Sequence, residues 1–66
     1  MSHSLIRYFD ARHLTGPLRE VSEYFTGVAM MLDDSLPEGA EKTVALRKLL
    51  ESKDAAVRAA LQTQEN

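Results

Sequence analysis

One short segment near the start of the chain, RYFDARHL at residues 7–14, carries most of the side chains that could bind a ligand. It brings together two aromatic residues, two arginines and a histidine: Arg7, Tyr8, Phe9, Arg12 and His13. An aromatic ring can stack on a nucleobase, and a guanidinium offers a planar, permanently charged fork to phosphate oxygens. The segment therefore favours a nucleotide-like anion as ligand.

Each of these aromatic residues also has a structural interpretation. Phe9 could fold back with Leu5 and Leu14 to close one end of a small helical core, and this alternative stays open. If the segment is extended, successive side chains alternate sides, so that Tyr8 faces away from Phe9. His13 could equally be a surface or capping histidine. His3 is expected to belong to a disordered tail.

A second candidate site lies at Glu41-Lys42-Thr43, in the first turns of the predicted second helix. Unpaired backbone N–H groups at a helix start favour anions, and Lys42 and Thr43 could extend such a site. The alternative is a solvated lysine and a surface threonine. Asp33 and Asp34 are interpreted as solvated acids at a helix end.

The chain shows no combination of residues that would indicate catalysis. It has no cysteine, and its His, Asp and Glu residues lack metal-ligand spacing. A nucleophile with a base and an orienting group, a glycine-rich phosphate loop and an HExxH-type pair are all missing. We therefore expect binding without chemistry, no enzyme activity and no cofactor.

Charge is distributed unevenly along the chain, whose formal net charge is −2. Residues 1–19 carry three arginines and one aspartate, whereas residues 20–66 carry five basic and nine acidic side chains. All four aromatic residues lie in the first 25 positions. A basic, aromatic front on an acidic body suits a small anionic ligand better than DNA, whose binders usually carry net positive charge.

The pattern of apolar residues predicts one all-α domain, residues 1–66, with two helices. Residues 1–14 form an irregular arm, residues 15–34 the first helix, residues 35–39 a turn, residues 40–62 the second helix, and residues 63–66 a frayed tail. Thr15 and Pro17 are typical of a helix start. Ser35 and Glu38 have the spacing of a capping box, although Gly39 could delay the second helix to Ala40.

Two such helices form an antiparallel hairpin that cannot cover all of its apolar surface. A 66-residue chain buries a thin core. We therefore expect a helical homo-oligomer, in which the second helix gives its leucines to the first helix and a line of small residues to another copy. That line consists of Ala45, Ser52, Ala56, Ala59 and Ala60. The alternative is a marginal monomer with Met30 and Met31 partly exposed.

The chain has no apolar run long enough to span a bilayer, and its first residues lack the apolar core of a signal peptide. We expect no membrane partner and a location in the cytoplasm.

The segment LPEGAEKTVALRKLLESKDAAVRAAL, residues 36–61, resembles the hairpin of a phage-encoded family of anti-CBASS cyclic-nucleotide sponges. A related hairpin occurs in sponges that antagonise Thoeris defence. The resemblance rests on a proline, a Glu-Lys-Thr run, an alternation of alanine, leucine and lysine, and a final glutamate. These residues are Pro37, Glu41-Lys42-Thr43, Ala45-Leu46, Lys48-Leu49 and Glu51.

The resemblance implies a helical hexamer that traps cyclic dinucleotides, and in some members cyclic trinucleotides, between subunits without hydrolysing them. Lowering the free second messenger keeps the effectors of the host bacterium inactive. Tyr8 best matches a family tyrosine that stacks on the bases, with Phe9 as the alternative. Thr43 matches a family Ser/Thr. The family's first-helix lysine is absent, so that one of Arg7, Arg12 and Arg19 would have to replace it.

Two other classes of function compete with this interpretation. A protein–protein adaptor would dock its helix face in the groove of a partner and would have no affinity for nucleotides. A small DNA-binding regulator would need a recognition helix with a positive face, and the second helix is acidic.

Overall fold

The computed structural model describes residues 3–65 and is all-helical there, with no strand. A short 3-10 helix, the arm helix, spans Ser4–Phe9; the two long helices are α1, Gly16–Ser35, and α2, Ala40–Glu65. The predicted all-α class is confirmed. The arm helix corrects the prediction of an irregular arm over residues 1–14, and Met1 and Ser2 lie outside the described residues.

The start of α1 follows the signals in the sequence. Thr15 precedes the helix with an extended backbone, and Pro17 occupies the first turn, where its missing N–H costs no hydrogen bond. The Thr15 side chain makes no capping hydrogen bond. At the other end, the N–H of Leu36 donates to the carbonyl oxygen of Leu32 at 2.9 Å. The helix therefore runs one residue beyond the predicted end at 34.

The start of α2 does not use the capping box. Ser35 is the last residue of α1, and the Glu38 carboxylate binds Lys42 instead of a backbone N–H. Gly39 has φ = 156°, in the region that favours glycine, and its carbonyl oxygen accepts the N–H of Thr43 at 3.3 Å. The helix α2 continues to Glu65, three residues beyond its predicted end at residue 62. Asn66 lies outside the described residues.

The core lies where the arm helix meets α1 and α2. Its fully buried apolar members are Phe9, Ala29 and Leu46, one from each element. Partly buried apolar side chains pack around them: Leu5, Ile6, Phe25, Leu32, Leu49 and Leu50. The arm helix therefore supplies one of these three fully buried apolar residues, Phe9.

A large part of the apolar surface stays open. The accessible surface is 4728 Å², against about 4200 Å² for a compact folded chain of 7.4 kDa. Tyr24, Val28 and Met31 are exposed and follow one another at helical spacing, so that they form one face of α1. We call it the exposed apolar face. Across residues 3–65, neither long helix combines the length and hydropathy of a membrane span.

The line of small residues on α2 is placed differently from the prediction. Ala56, Ala59 and Ala60 border an open cavity of about 430 Å³ together with Pro17 and Val21 of α1. Ala56 and Ala60 are half-buried there. Part of the line therefore faces the start of α1, whereas the exposed apolar face of α1 has no covering element among the described residues.

Candidate functional site

The N-terminal end of the arm helix is fixed by His3, which was predicted from the sequence to belong to a disordered tail. The His3 N–H donates to Asp33 Oδ1 at 3.0 Å, and Nδ1 accepts the N–H of Leu5 at 3.1 Å. Because Nδ1 accepts, the neutral ring carries its proton on Nε2, which then donates to Thr43 Oγ1 at 2.9 Å. His3 thus joins the arm helix to both long helices.

Lys42 is buried beside this contact, and it is only 3 % exposed. Its Nζ donates to the Asp33 carbonyl oxygen at 2.8 Å and forms ion pairs with Asp33 Oδ1 at 3.0 Å and Glu38 Oε1 at 2.6 Å. The hydrogen bond from Lys42 lowers the pKa of Glu38, and the hydrogen bond to Glu38 is the main cause of a raised pKa of Lys42. The interpretations of Lys42 as a solvated lysine and Asp33 as a solvated acid are both wrong.

These contacts give the Glu-Lys-Thr run a role inside the chain. Lys42 has three N–H donors, and three oxygens of the chain take them. Thr43 already accepts a hydrogen bond from His3. In this conformation Thr43 holds the start of the arm helix through His3, Lys42 holds Asp33, and Lys42 has no donor left for a ligand.

The C-terminal end of the arm helix is fixed by two residues that were not predicted from the sequence. Lys53 of α2 donates from Nζ to the Tyr8 carbonyl oxygen at 2.8 Å, and the Thr26 hydroxyl of α1 donates to the Phe9 carbonyl oxygen. The last carbonyl groups of a helix have no partner within it, so side chains from elsewhere must satisfy them. No local signal could reveal these pairs, because Lys53 lies 45 positions from its acceptor.

Tyr8 and Phe9 separate at this end of the arm helix. Phe9 is fully buried in the core, which favours its structural interpretation, whereas Tyr8 is 48 % exposed. The Arg7 guanidinium carbon lies 4.9 Å from the centroid of the Tyr8 ring, and Arg7 donates to the Tyr8 hydroxyl oxygen at 2.9 Å. Tyr8 and Arg7 therefore present an aromatic ring and a cation together at the surface.

Arg7 also borders an open groove of about 590 Å³ between the arm and α1. Its apolar lining consists of Ile6, Phe9, Ala11 and Met30, with Thr26 beside them. Charged residues make up the remainder: Arg7, Asp10, Arg12, Arg19 and Glu23. The groove combines an apolar lining with three guanidinium groups.

Two of these guanidinium groups already have carboxylate partners. Arg12 Nη2 lies 2.7 Å from Asp10 Oδ2, and the hydrogen bonds from Arg12 lower the pKa of Asp10 to about 2. Arg19 Nε lies 2.6 Å from Glu23 Oε1. Arg7, in contrast, forms no ion pair with any carboxylate among residues 3–62. It is the guanidinium of the groove that is free to bind an anion.

The predicted site residues therefore fall into two groups. Arg7, Phe9 and Arg12 border the groove, Tyr8 stands beside it against Arg7, and His13 is exposed on the loop that follows. At the other end of the arm helix, Thr43 contacts His3, and Lys42 contacts Asp33, which also binds His3. The structure brings the first group together and separates it from the second.

Comparisons with protein-family models, curated proteins and solved structures found no match to this chain. Within residues 3–65, no cluster of three or more His, Asp or Glu side chains is placed to hold a metal ion. A functional conclusion must therefore rest on the groove and on the arm helix beside it.

Proposed function

We propose that the protein is a phage-type sponge that binds cyclic dinucleotides, and cyclic trinucleotides as larger ligands, without hydrolysing them. One observation carries this proposal: the half-exposed Tyr8 ring lies against the unpaired Arg7 guanidinium at the edge of the groove. The resemblance of residues 36–61 to the sponge family supports the same function.

The chemistry of the pair fits a nucleotide. A base stacked on the Tyr8 ring contributes about 1–3 kcal/mol. Arg7 supplies donors for a phosphate oxygen without giving up a carboxylate partner. A phosphate bound at Arg12 or Arg19 would first have to compete with Asp10 or Glu23. We therefore assign the phosphate contact to Arg7 and a secondary role to the other two arginines.

Assembly completes the proposed site. In the proposed assembly, α1 and α2 of each chain form an antiparallel hairpin. Two observations support this arrangement: Asp33 contacts Lys42 beside the turn, and Pro17 and Ala60 border the same cavity at the opposite end. The groove of one chain is open, so it cannot enclose a cyclic dinucleotide. Two chains joined by symmetry would offer two tyrosines and two free arginines to a ring of two bases and two phosphates. The proposed oligomer is a hexamer.

Sequestration needs tight binding and no turnover. The groove holds guanidinium groups, two paired carboxylates and apolar side chains, and these residues bind an anion without attacking it. The messenger would therefore be released from the protein without being hydrolysed. While it is bound, the lower concentration of free messenger in the bacterial cytoplasm would keep immune effectors inactive.

Calorimetry with cyclic di-AMP, cyclic di-GMP, 3′,3′-cyclic GMP–AMP and cyclic tri-AMP tests the proposal. We expect the wild type and Tyr8→Phe to bind at least one compound, and Tyr8→Leu to lose that binding, because only phenylalanine keeps the ring. Heat release followed by mass spectrometry should recover the compound intact. Absence of binding by the wild type, or recovery of a hydrolysed product, would reject the proposal.

The exposed apolar face favours a second candidate function, that of a protein–protein adaptor. Tyr24, Val28 and Met31 could dock in the groove of another protein. This alternative predicts a monomer or dimer that has no affinity for nucleotides. Light scattering separates the two candidates, because a hexamer of 7.4 kDa chains has a mass of about 45 kDa.

A further inference from the structure

The arm helix depends on side chains from the rest of the protein at both of its ends. A 3-10 helix of six residues has weak internal hydrogen bonds and does not persist alone. His3 caps its first turn and is itself held by Asp33 and Thr43. At the other end, Lys53 donates a hydrogen bond to the Tyr8 carbonyl oxygen, and Thr26 donates one to the Phe9 carbonyl oxygen.

Lys53 differs from the other contacts because its acceptor belongs to Tyr8 itself. Its Nζ lies 2.8 Å from the Tyr8 carbonyl oxygen, 3.4 Å from Asp54 Oδ1 and 6.0 Å from the centroid of the Phe9 ring. Its side chain is 12 % exposed, so most of the stem is packed against the protein. Lys53 therefore crosses from α2 over the buried aromatic residue to the backbone of the exposed one.

We infer that Lys53 is the positioning residue for Tyr8: its ammonium group holds the Tyr8 peptide and thereby sets the direction of the ring. The burial of Phe9 and the hydrogen bond from Thr26 to its carbonyl oxygen keep the end of the arm helix on the protein, and the Lys53 contact adds an anchor at the peptide that joins Tyr8 to Phe9. The orientation of Tyr8 then also sets where Arg7 lies, since Arg7 packs on that ring. The use of this orientation for binding rests on the proposed function.

The test compares Lys53→Met, which keeps the apolar stem and removes the donor, with Lys53→Arg, which restores a donor. Lys48→Met is the matched control, because Lys48 is an exposed lysine of α2 whose nearest carboxylate, Glu51, is 3.9 Å away. Lys53→Gln serves as a second donor-weakened variant if Lys53→Met does not fold. Circular dichroism establishes that each variant retains its helices.

The first measurement is made on the free protein by NMR. We expect Lys53→Met to shift the carbonyl carbon resonance of Tyr8 and to lower the heteronuclear NOE of the Phe9 amide. Lys53→Arg should restore both signals, and Lys48→Met should leave them as in the wild type. Unchanged Tyr8 and Phe9 signals in Lys53→Met and Lys53→Gln would overturn the inference.

The second measurement is the affinity for 3′,3′-cyclic GMP–AMP. Lys53→Met should bind about tenfold more weakly, because the aromatic platform is no longer preorganised, and Lys53→Arg should recover the affinity. Equal affinities of Lys53→Met and the wild type would also overturn the inference. If the wild type binds none of the four cyclic nucleotides, the proposed function fails, whereas the NMR comparison still decides the role of Lys53.

Discussion

Tyr8 and Phe9 are neighbours in the sequence, yet Phe9 is fully buried in the core and Tyr8 is half-exposed beside the groove. The end of the arm helix thus divides two similar residues between two tasks. Phe9 anchors the arm on α1 and α2, and Tyr8 remains available for a ligand.

Alanine substitutions should separate these two tasks. Phe9→Ala should lower the free energy of unfolding by about 3–5 kcal/mol, since it empties a buried aromatic site. Tyr8→Ala should lower it by less than about 1 kcal/mol while abolishing nucleotide binding. Urea denaturation and calorimetry measure the two effects. Equal losses of stability in both variants would contradict the division.

Replacement of the groove arginines should affect affinity unequally. Arg7→Gln should weaken nucleotide binding about tenfold, or about 1.4 kcal/mol, and should reduce its dependence on salt. Arg47→Gln, at an exposed position of α2, is the control and should bind like the wild type. A larger loss in Arg12→Gln than in Arg7→Gln would show that the Asp10 partner does not occupy Arg12 as we infer.

The contact between His3 and Thr43 should stabilise the N-terminal end of the arm helix. Thr43→Val keeps the shape of the side chain but removes the acceptor for His3 Nε2, and it should cost about 1 kcal/mol of stability. Hydrogen exchange of the amides of residues 4–9 should become faster. Thr43→Ser retains the hydroxyl group and should behave like the wild type; if it exchanges as fast as Thr43→Val, the hydroxyl is not the anchor.

The ion pair between the buried Lys42 and the exposed Glu38 predicts how stability depends on pH. The pKa of Glu38 is lowered, so its contribution is present above the unfolded value of 4.5 and is lost as the pH falls below it. The pKa of Lys42 is raised, so its contribution is present below the unfolded value of 10.5 and is lost as the pH rises through the folded value. Urea midpoints between pH 3 and pH 12 should therefore decline at both ends.

Lys42→Met is the variant that checks this pH dependence, and Lys48→Met is its control. The loss of stability above pH 10.5 should shrink in Lys42→Met and persist in Lys48→Met. An alkaline decline of the same size in both variants would assign it to other groups.

A charge on the exposed apolar face should prevent assembly. Met31→Glu should reduce the mass in light scattering from about 45 kDa to that of a 7.4 kDa chain, because association would bury an unpaired carboxylate. Ser52→Glu places the same charge on the line of small residues and should leave the mass unchanged. The opposite result would identify that line as the contact between copies.

The two long helices could be predicted because their signals are local. Apolar residues recur at helical spacing, Thr15 and Pro17 mark the start of α1, and Gly39 lies just before α2. The end of α2 was predicted too early, since the polar residues after Gln62 carry no apolar period, although they continue the helix to Glu65.

The arm helix and its contacts could not be predicted in the same way. Its six residues show no sustained period, and its position depends on pairs that are far apart in sequence, such as His3 with Asp33 and Lys53 with Tyr8. A burial pattern also cannot reveal that Lys42 is inside the protein, because its partners Asp33 and Glu38 are themselves charged. Of the groove residues, Arg7, Phe9 and Arg12 were named from the sequence, but the pairing of Arg12 with Asp10 was not predicted.

The division of anchors between α1 and α2 has a consequence for the order in which the protein forms. Asp33 and Thr26 come from one long helix, and Thr43 and Lys53 come from the other, so the arm helix has all of its anchors only when the two long helices are packed together. We therefore expect the aromatic platform to become ordered late in folding and to open early in local unfolding. A ligand held there would then stabilise the region that opens first.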